Sequence, residues 1–511
     1  MALQLRLNEL FSSLQSTSEP LVGLNEISEI ASVPGISQVV QQNVKSIPLV
    51  FMFGLLNTAD QELILACCNA LDKIFSLLPV EMYREYGNFI ELGLQHPSVT
   101  VKLLCLRFIG RCAEVESQND FVLAPTMFHL VVQLLGHSDV NCAMETCRVI
   151  HQMSTNPSSL EIMFAKRKGS LVGDLDQILL GNEAVRFRVY ELMFNIATTS
   201  SQTFGLVSST GIFLRLIKEL DQDDVLVQLN GVEMLTRFVQ SRDGVDFLEQ
   251  QQVIKKLHII MLSSVQPDFL SNLLIPGILK FFVHLVMQDR VDVATICKQF
   301  PAFMDVVYST MEQVDSNLWA NVVQTFAALG STLCSRRALL CTESRTMAAL
   351  GTLGSLMVSS PSEVRVTCMD AVSVLIACPE GCLRDAVLVS SYEKMFTAIG
   401  EDFVSTLYSV GKQPFSDLRC AMLKVLASIA TWKWGQERIK NVPGFVEFLL
   451  DRSTEVDKEA KELRYTVIRI LATSDTAEVV LGALTYRRIK EYEQEGPFYV
   501  QSENIVAMEE A

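Results

Sequence analysis

Sets of four residues spaced 4, 3 and 4 apart recur along this chain, and that recurrence constrains its fold more than any other feature. Val185, Val189, Leu192 and Ile196 form one set. Such spacing places all four on one stripe of an α-helix. The stripe recurs at Val99, Leu103, Leu106 and Gly110, at Val140, Met144, Cys147 and His151, and at Val225, Leu229, Val232 and Thr236. Later copies are Leu318, Val322, Thr325 and Leu329, then Val364, Cys368, Ala371 and Leu375, then Leu418, Met422, Val425 and Ile429. The leads stand at 99, 140, 185, 225, 318, 364 and 418, so the steps are 41, 45, 40, 93, 46 and 54. The step of 93 hides one degenerate copy near 271–284. Steps of roughly 40–47 are the armadillo and HEAT period.

Each stripe follows a polar turn and another apolar helix. The segment 210–220 leads through Asp221-Gln222-Asp223-Asp224 into the Val225 stripe, and 128–135 leads through Gly136-His137-Ser138-Asp139 into the Val140 stripe. Asp and Asn at the end of such turns suit helix N-caps, because their oxygens accept from unpaired N–H groups. The unit reads as helix, turn, helix. A single pair cannot bury its own stripe, whereas stacked pairs share one core. No strand pattern of useful length competes. The chain is therefore expected to be all-α, a curved solenoid of armadillo/HEAT-like helical repeats. Residues 1–55 read as an N-terminal helical cap, with Leu3, Leu7, Leu10 and Leu14 on one face. Residues 56–500 read as the solenoid and 501–511 as an acidic mobile tail. Pro276-Gly277 predicts a kink or break within the degenerate copy.

Composition excludes several classes of function. The 511 residues are 49% hydrophobic and 20% charged, which is globular and not disordered. The net charge of -16 repels nucleic acid and anionic lipid. The one basic cluster, Lys166-Arg167-Lys168, is too short for a nucleic-acid footprint. The most apolar stretch, 273–287, contains Pro276, Lys280 and His284 and falls short of a membrane span. No secretory leader is read at the N-terminus, where Asn8 and Glu9 interrupt any apolar run. Thirteen cysteines without regular spacing fit a reducing compartment. A cytoplasmic location is expected, with the nucleus also open.

Catalytic and cofactor motifs do not occur. There is no phosphate-cradling loop, no nucleophile elbow and no HExxH pair. Cys378-Pro-Glu-Gly-Cys382 supplies too few ligands for structural zinc. No enzyme activity, metal or cofactor is expected. A repeat solenoid instead binds partners along its concave face. Three, six and ten residues after each lead, the stripe helix should present its flank to that groove. The candidate groove residues on this rule are Lys102, Arg188, Glu191, Asn195, Gln228, Asp370 and Lys424. Armadillo-class nuclear import adaptors carry Trp at the sixth position, but here it holds Cys105, Thr146, Glu191, Gly231, Gln324, Asp370 and Lys424. That reading is set aside.

The C-terminal third is more specific. Residues 413–431 (QPFSDLRCAMLKVLASIAT), 443–453 (PGFVEFLLDRS), 457–461 (DKEAK) and 495–500 (EGPFYV) closely resemble the proteasome non-ATPase regulatory subunit 5 family. Residues 185–192, 224–227 and 276–282 agree, and the resemblance runs from about 50 to 500. It implies an assembly chaperone that transiently binds the C-terminal domain of an ATPase subunit of the proteasome base. The chaperone holds that ATPase, with associated non-ATPase base subunits, in a subcomplex and is absent from the mature proteasome. A monomer when free is expected. The alternative is a general armadillo/HEAT protein-binding scaffold or adaptor.

Overall fold

A computed structural model describes residues 2–16, 19–42, 44–165, 170–263, 269–379 and 381–499. Lys166-Arg167-Lys168 and the 501–511 tail lie outside them. Every regular element among the described residues is a helix. The expected all-α repeat solenoid is the observed architecture. Contacts divide the chain into two compact units, Met1–Asp221 and Gln222–Ala511.

Among the described residues, ten helices carry the recurring stripe. In the first unit they are α1 (Gln61–Leu77), α2 (Val99–Ala113), α3 (Val140–Met153) and α4 (Glu183–Ala197). Each packs on the next. In the second unit they are α5 (Val225–Phe238), α6 (Phe269–Val286), α7 (Trp319–Leu329), α8 (Ser362–Ile376), α9 (Ser416–Ala430) and α10 (Lys458–Thr473). These too pack in series. Ahead of the first stripe helix, Ala2–Leu14 buries Leu7, Leu10 and Leu14 against Pro20–Ala31.

The caps read from the turns are present. The side chains of Asp139, Asn182 and Asp224 accept from the N–H groups of Cys142, Val185 and Leu226 and so start α3, α4 and α5. The repeat differs from the expected helix pair. A further short helix follows most stripe helices, among them Pro157–Met163, Ser201–Ser208, Arg242–Gln250, Leu333–Cys341 and Lys433–Lys440. Four of these begin at a side-chain cap, on Asn156, Ser200, Ser241 and Thr332. At 7 to 9 residues, little more than two turns, they are too short to show a helical period. Gly244 and Gly435 let two of them sit directly on the end of a stripe helix. A Cβ at either would overlap the carbonyl oxygen of Phe238 or Ile429.

The expected break at Pro276-Gly277 does not occur. α6 runs through Pro276 and packs on both α5 and α7. Proline inside a helix costs about 3 kcal/mol, and burial along α6 outweighs that. Phe281, Phe282 and Leu285 are all fully buried.

The stripe phase needs a second correction. In α4 and α9 every residue of the expected stripe is buried. In α3 the expected stripe faces outward instead, with Val140 62% and Met144 55% exposed. The buried stripe there is Cys142, Thr146, Val149 and Met153, with the same 4-3-4 spacing two residues later. α2 buries Val101, Cys105, Phe108 and Cys112, and α5 buries Val227, Gly231, Met234 and Phe238, each again two residues later. Packed between two neighbours and the layer beneath, a stripe helix is buried around most of its circumference. Its apolar residues then fit more than one phase.

Buried ion pairs fasten the C-terminal repeats. Arg464 is fully buried on α10, where Nη2 donates to Glu455 Oε1 at 2.8 Å and Nη1 to the carbonyls of Phe448 and Asp451. Arg419 on α9 donates from Nε to the other Glu455 oxygen at 3.0 Å. One carboxylate thus joins two stripe helices through the turn before α10.

Candidate functional site: a cleft between two stripe helices

The outward stripe of α3 faces α4 across an open cleft of about 460 Å³. Met144, Cys147 and His151 line one wall, and Arg188, Glu191 and Asn195 line the other. The α4 residues are candidates from the sequence, and the structure brings all three together. The α3 residues were assigned to the core. The signal that could have found them is the competing stripe Cys142, Thr146, Val149 and Met153, which claims the buried side of the same helix.

Hydrogen bonds fix the cleft walls. Arg188 Nη1 donates to the Leu135 carbonyl at 2.6 Å, so its guanidinium is anchored to the turn before α3. Arg148 forms a two-pronged pair with Glu145, Nε to Oε2 at 3.0 Å and Nη2 to Oε1 at 2.7 Å. Its Nη1 donates to Gln152 at 3.0 Å. Gln152 in turn donates to Glu114 at 2.8 Å. Arg148 lies across Gly110 of α2, where a Cβ would come within 2.8 Å of Nη2. The expected stripe residue Gly110 is therefore a place for an arginine to cross. The cleft joins the exposed Met144 side chain and Leu192 to a rim of held charges. An apolar centre with a polar rim is the anatomy of a protein-binding surface.

Burial pushes the Cys147 thiol up to about 11, with Arg188 pulling it down and Glu191 raising it, so it stays protonated near neutral pH. Burial likewise pushes Cys378 up to about 11. No group of three or more His, Cys, Asp or Glu that could hold a metal occurs among the described residues. No helix among them is long and apolar enough to cross a membrane.

The other sequence candidates are placed differently. Asp370 of α8 borders a smaller cleft against α7, about 390 Å³, and there its Oδ1 takes a 3.0 Å ion pair from Lys424 of α9. Gln228 Nε2 donates to the Gln222 carbonyl at 2.6 Å and braces its own turn. The same device recurs at the fourth residue of α8 and α9. Arg365 Nε reaches the Met357 carbonyl at 2.8 Å, and Arg419 Nη1 reaches that of Gln413 at 2.9 Å. Lys102 Nζ stands 3.5 Å from His137 Nε2.

Comparison with known proteins agrees with the helical solenoid. Among solved structures, importin-beta crystallised with polyethylene glycol has a TM-score of 0.52 at 14% identity, over 96% of this chain and 69% of that one. Yeast importin-beta has a TM-score of 0.50 at 12% identity, over 95% and 63%. At such identities the likeness concerns the fold alone. Sequence relatives go further. Human 26S proteasome non-ATPase regulatory subunit 5 is 30% identical over 494 residues, 96% of each chain. Its bovine counterpart is 30% identical over 98% of this chain and 97% of its own. The mouse counterpart is 30% identical over 90% of each. The family profile described as "Proteasome non-ATPase 26S subunit" matches residues 4–511. Matched by the profile over nearly its whole length and 30% identical to these relatives, this chain belongs to the proteasome non-ATPase 26S subunit family that includes regulatory subunit 5.

Proposed function

We propose that this protein is an assembly chaperone of the proteasome regulatory-particle base. It transiently binds the C-terminal domain of one ATPase subunit, together with associated non-ATPase base subunits, and leaves before the proteasome matures. The observation that carries the reading is the exposed α3 stripe set against Arg188, Glu191 and Asn195, in a chain related over nearly its whole length to proteasome regulatory subunits. Exposed apolar side chains on a scaffold held by ion pairs suit reversible occupation of a client surface. The net charge of -16 favours a basic client face. All thirteen cysteines are unpaired, which suits the cytoplasm.

The test is gel filtration of the full chain with a purified ATPase C-terminal domain. A co-eluting complex at micromolar concentration is expected, and Met144→Asp should weaken it at least tenfold. Absence of a complex with every base ATPase domain would overturn the reading. The alternative, a general armadillo/HEAT scaffold, would then be judged by proximity labelling, where partners unrelated to the proteasome should dominate.

A further inference from the structure

A cleft of about 1090 Å³ in the second unit lies where three successive repeats connect a stripe helix to its following helix. Its origin is a single insertion. α9 passes into Lys433–Lys440 through two residues, Thr431 and Trp432, and α10 passes into Ala477–Leu481 through three, 474–476. The equivalent connection after α8 is 377–385, nine residues. This accounts for most of the long step of 54 between the leads at 364 and 418. Insertions in a repeat array collect on one face, often the one that binds. Loops held by a rigid scaffold are also where recognition concentrates.

The inserted loop is shaped and pinned. Gly381 turns it at φ +81°, a conformation that favours glycine. Cys382 is buried beneath it. Asp385 caps the next helix, Ala386–Ile399, by accepting from the N–H groups of Val387 and Leu388. Under the cleft, Trp432 donates from Nε1 to the Ile376 carbonyl at 2.9 Å and lies 4.5 Å from the Tyr392 ring. A loop fastened in this way presents apolar side chains to water. Leu383 is 55% exposed, and its neighbour Val387 is 79% exposed.

The chemistry of the walls selects an occupant. Pro379, Leu383, Val389 and Ile470 supply apolar surface. Arg384 on one wall and Asp475 on another form no ion pair among the described residues. Glu393 and Lys433 are turned to intramolecular partners, Arg438 and Glu437, each at 3.9 Å. Thr431 and Thr473 donate within their own helices. Among the described residues, the lining charges without an ion pair are Arg384 and Asp475, and they flank an apolar centre. The volume reaches the upper end of small-molecule sites, and three repeats form its walls.

We infer that this cleft is a second peptide-binding site, distinct from the α3–α4 cleft. Its ligand is a short protein segment with a bulky apolar side chain between an acidic and a basic residue. The acid meets Arg384, the base meets Asp475, and the apolar side chain lies against Leu383 and Ile470.

The test is panning of a phage-displayed library of random dodecapeptides on the full-length chain, with the selected peptides resynthesised for titration. Peptides of acid–apolar–base pattern should be enriched. Their affinity should fall at least tenfold for Leu383→Asp. Arg384→Glu should also weaken them, and exchanging the peptide acid for lysine should restore binding to that variant. Both substituted side chains are exposed, so circular dichroism and the unfolding midpoint should match the parent chain. The charge exchange keeps the test decisive even if Leu383→Asp disturbs folding. Three results would overturn the proposal: no enrichment over a Leu383→Asp bait, peptides that bind both variants as well as the parent, or peptides lost with Met144→Asp instead.

Discussion

The α3–α4 pair of the first unit and the α8–α9 pair of the second offer the same sequence register to solvent with opposite results. Residues three, six and ten after the α4 lead are Arg188, Glu191 and Asn195, and they stand along an open cleft. In the second unit Asp370, six after the α8 lead, and Lys424, six after the α9 lead, meet at 3.0 Å and tie the helices together. A flank position therefore does not settle whether a residue serves a partner or its own scaffold. The neighbouring helix decides. Opposite α4 stands the outward face of α3, where the exposed Met144 presents an apolar side chain to the cleft. Across from Asp370 stands a lysine.

The largest effect should come from the clamped unit. Glu455→Ala would leave the fully buried Arg464 without its carboxylate and break its link to Arg419. Breaking a buried pair from one side costs about 3–5 kcal/mol, and urea unfolding would register it. A change under 1 kcal/mol would show that the clamp does not hold the C-terminal repeats. Next in size is the effect on binding in the open cleft. Met144→Asp should cost at least 1.4 kcal/mol, the equivalent of tenfold in affinity for an ATPase domain. Its unfolding midpoint should stay close to the parent's, because Met144 is 55% exposed. A folded variant with unchanged affinity would remove the α3–α4 cleft from the interface.

Lys424→Ala should be milder. Both members of its ion pair are about two-fifths exposed, so about 0–1 kcal/mol is expected. The loss should shrink further at high salt. A larger, salt-independent loss would make this pair a structural clamp comparable with Glu455. The smallest effect concerns pH. Burial holds His258 and His284 of the second unit below the ordinary histidine range. The unfolded chain then binds protons more readily than the folded one below about pH 6.5. Stability should be constant above that pH and decline as pH falls toward the folded values. His284→Gln should reduce the slope. An unchanged slope in variants of both residues would place the acid sensitivity elsewhere.

The legibility of the sequence follows the same division. Seven stripe helices and the hidden copy at α6 were readable because each needs a long apolar run with helical spacing. The caps at Asp139, Asn182 and Asp224 were readable because capping is local, settled within three residues. The short helix after most stripes was not, since about two turns carry no measurable period. The phase of α3 was also hidden. Val140 and Met144 are as apolar as Cys142 and Val149, and one helix alone does not say which side its neighbours will cover. Of the candidate groove residues, Arg188, Glu191 and Asn195 converge, whereas Gln228 proved to be a turn brace and Lys424 a partner of Asp370.

By itself the sequence determined the helical repeat, its period and its family, because apolar spacing and polar caps act over a few residues and recur. Only the tertiary structure decided which face of α3 meets solvent, which charges pair across helices, and that the insertion after α8 walls a cleft. Those outcomes depend on surfaces tens of residues apart in the chain, and burial is settled only when the repeats stack.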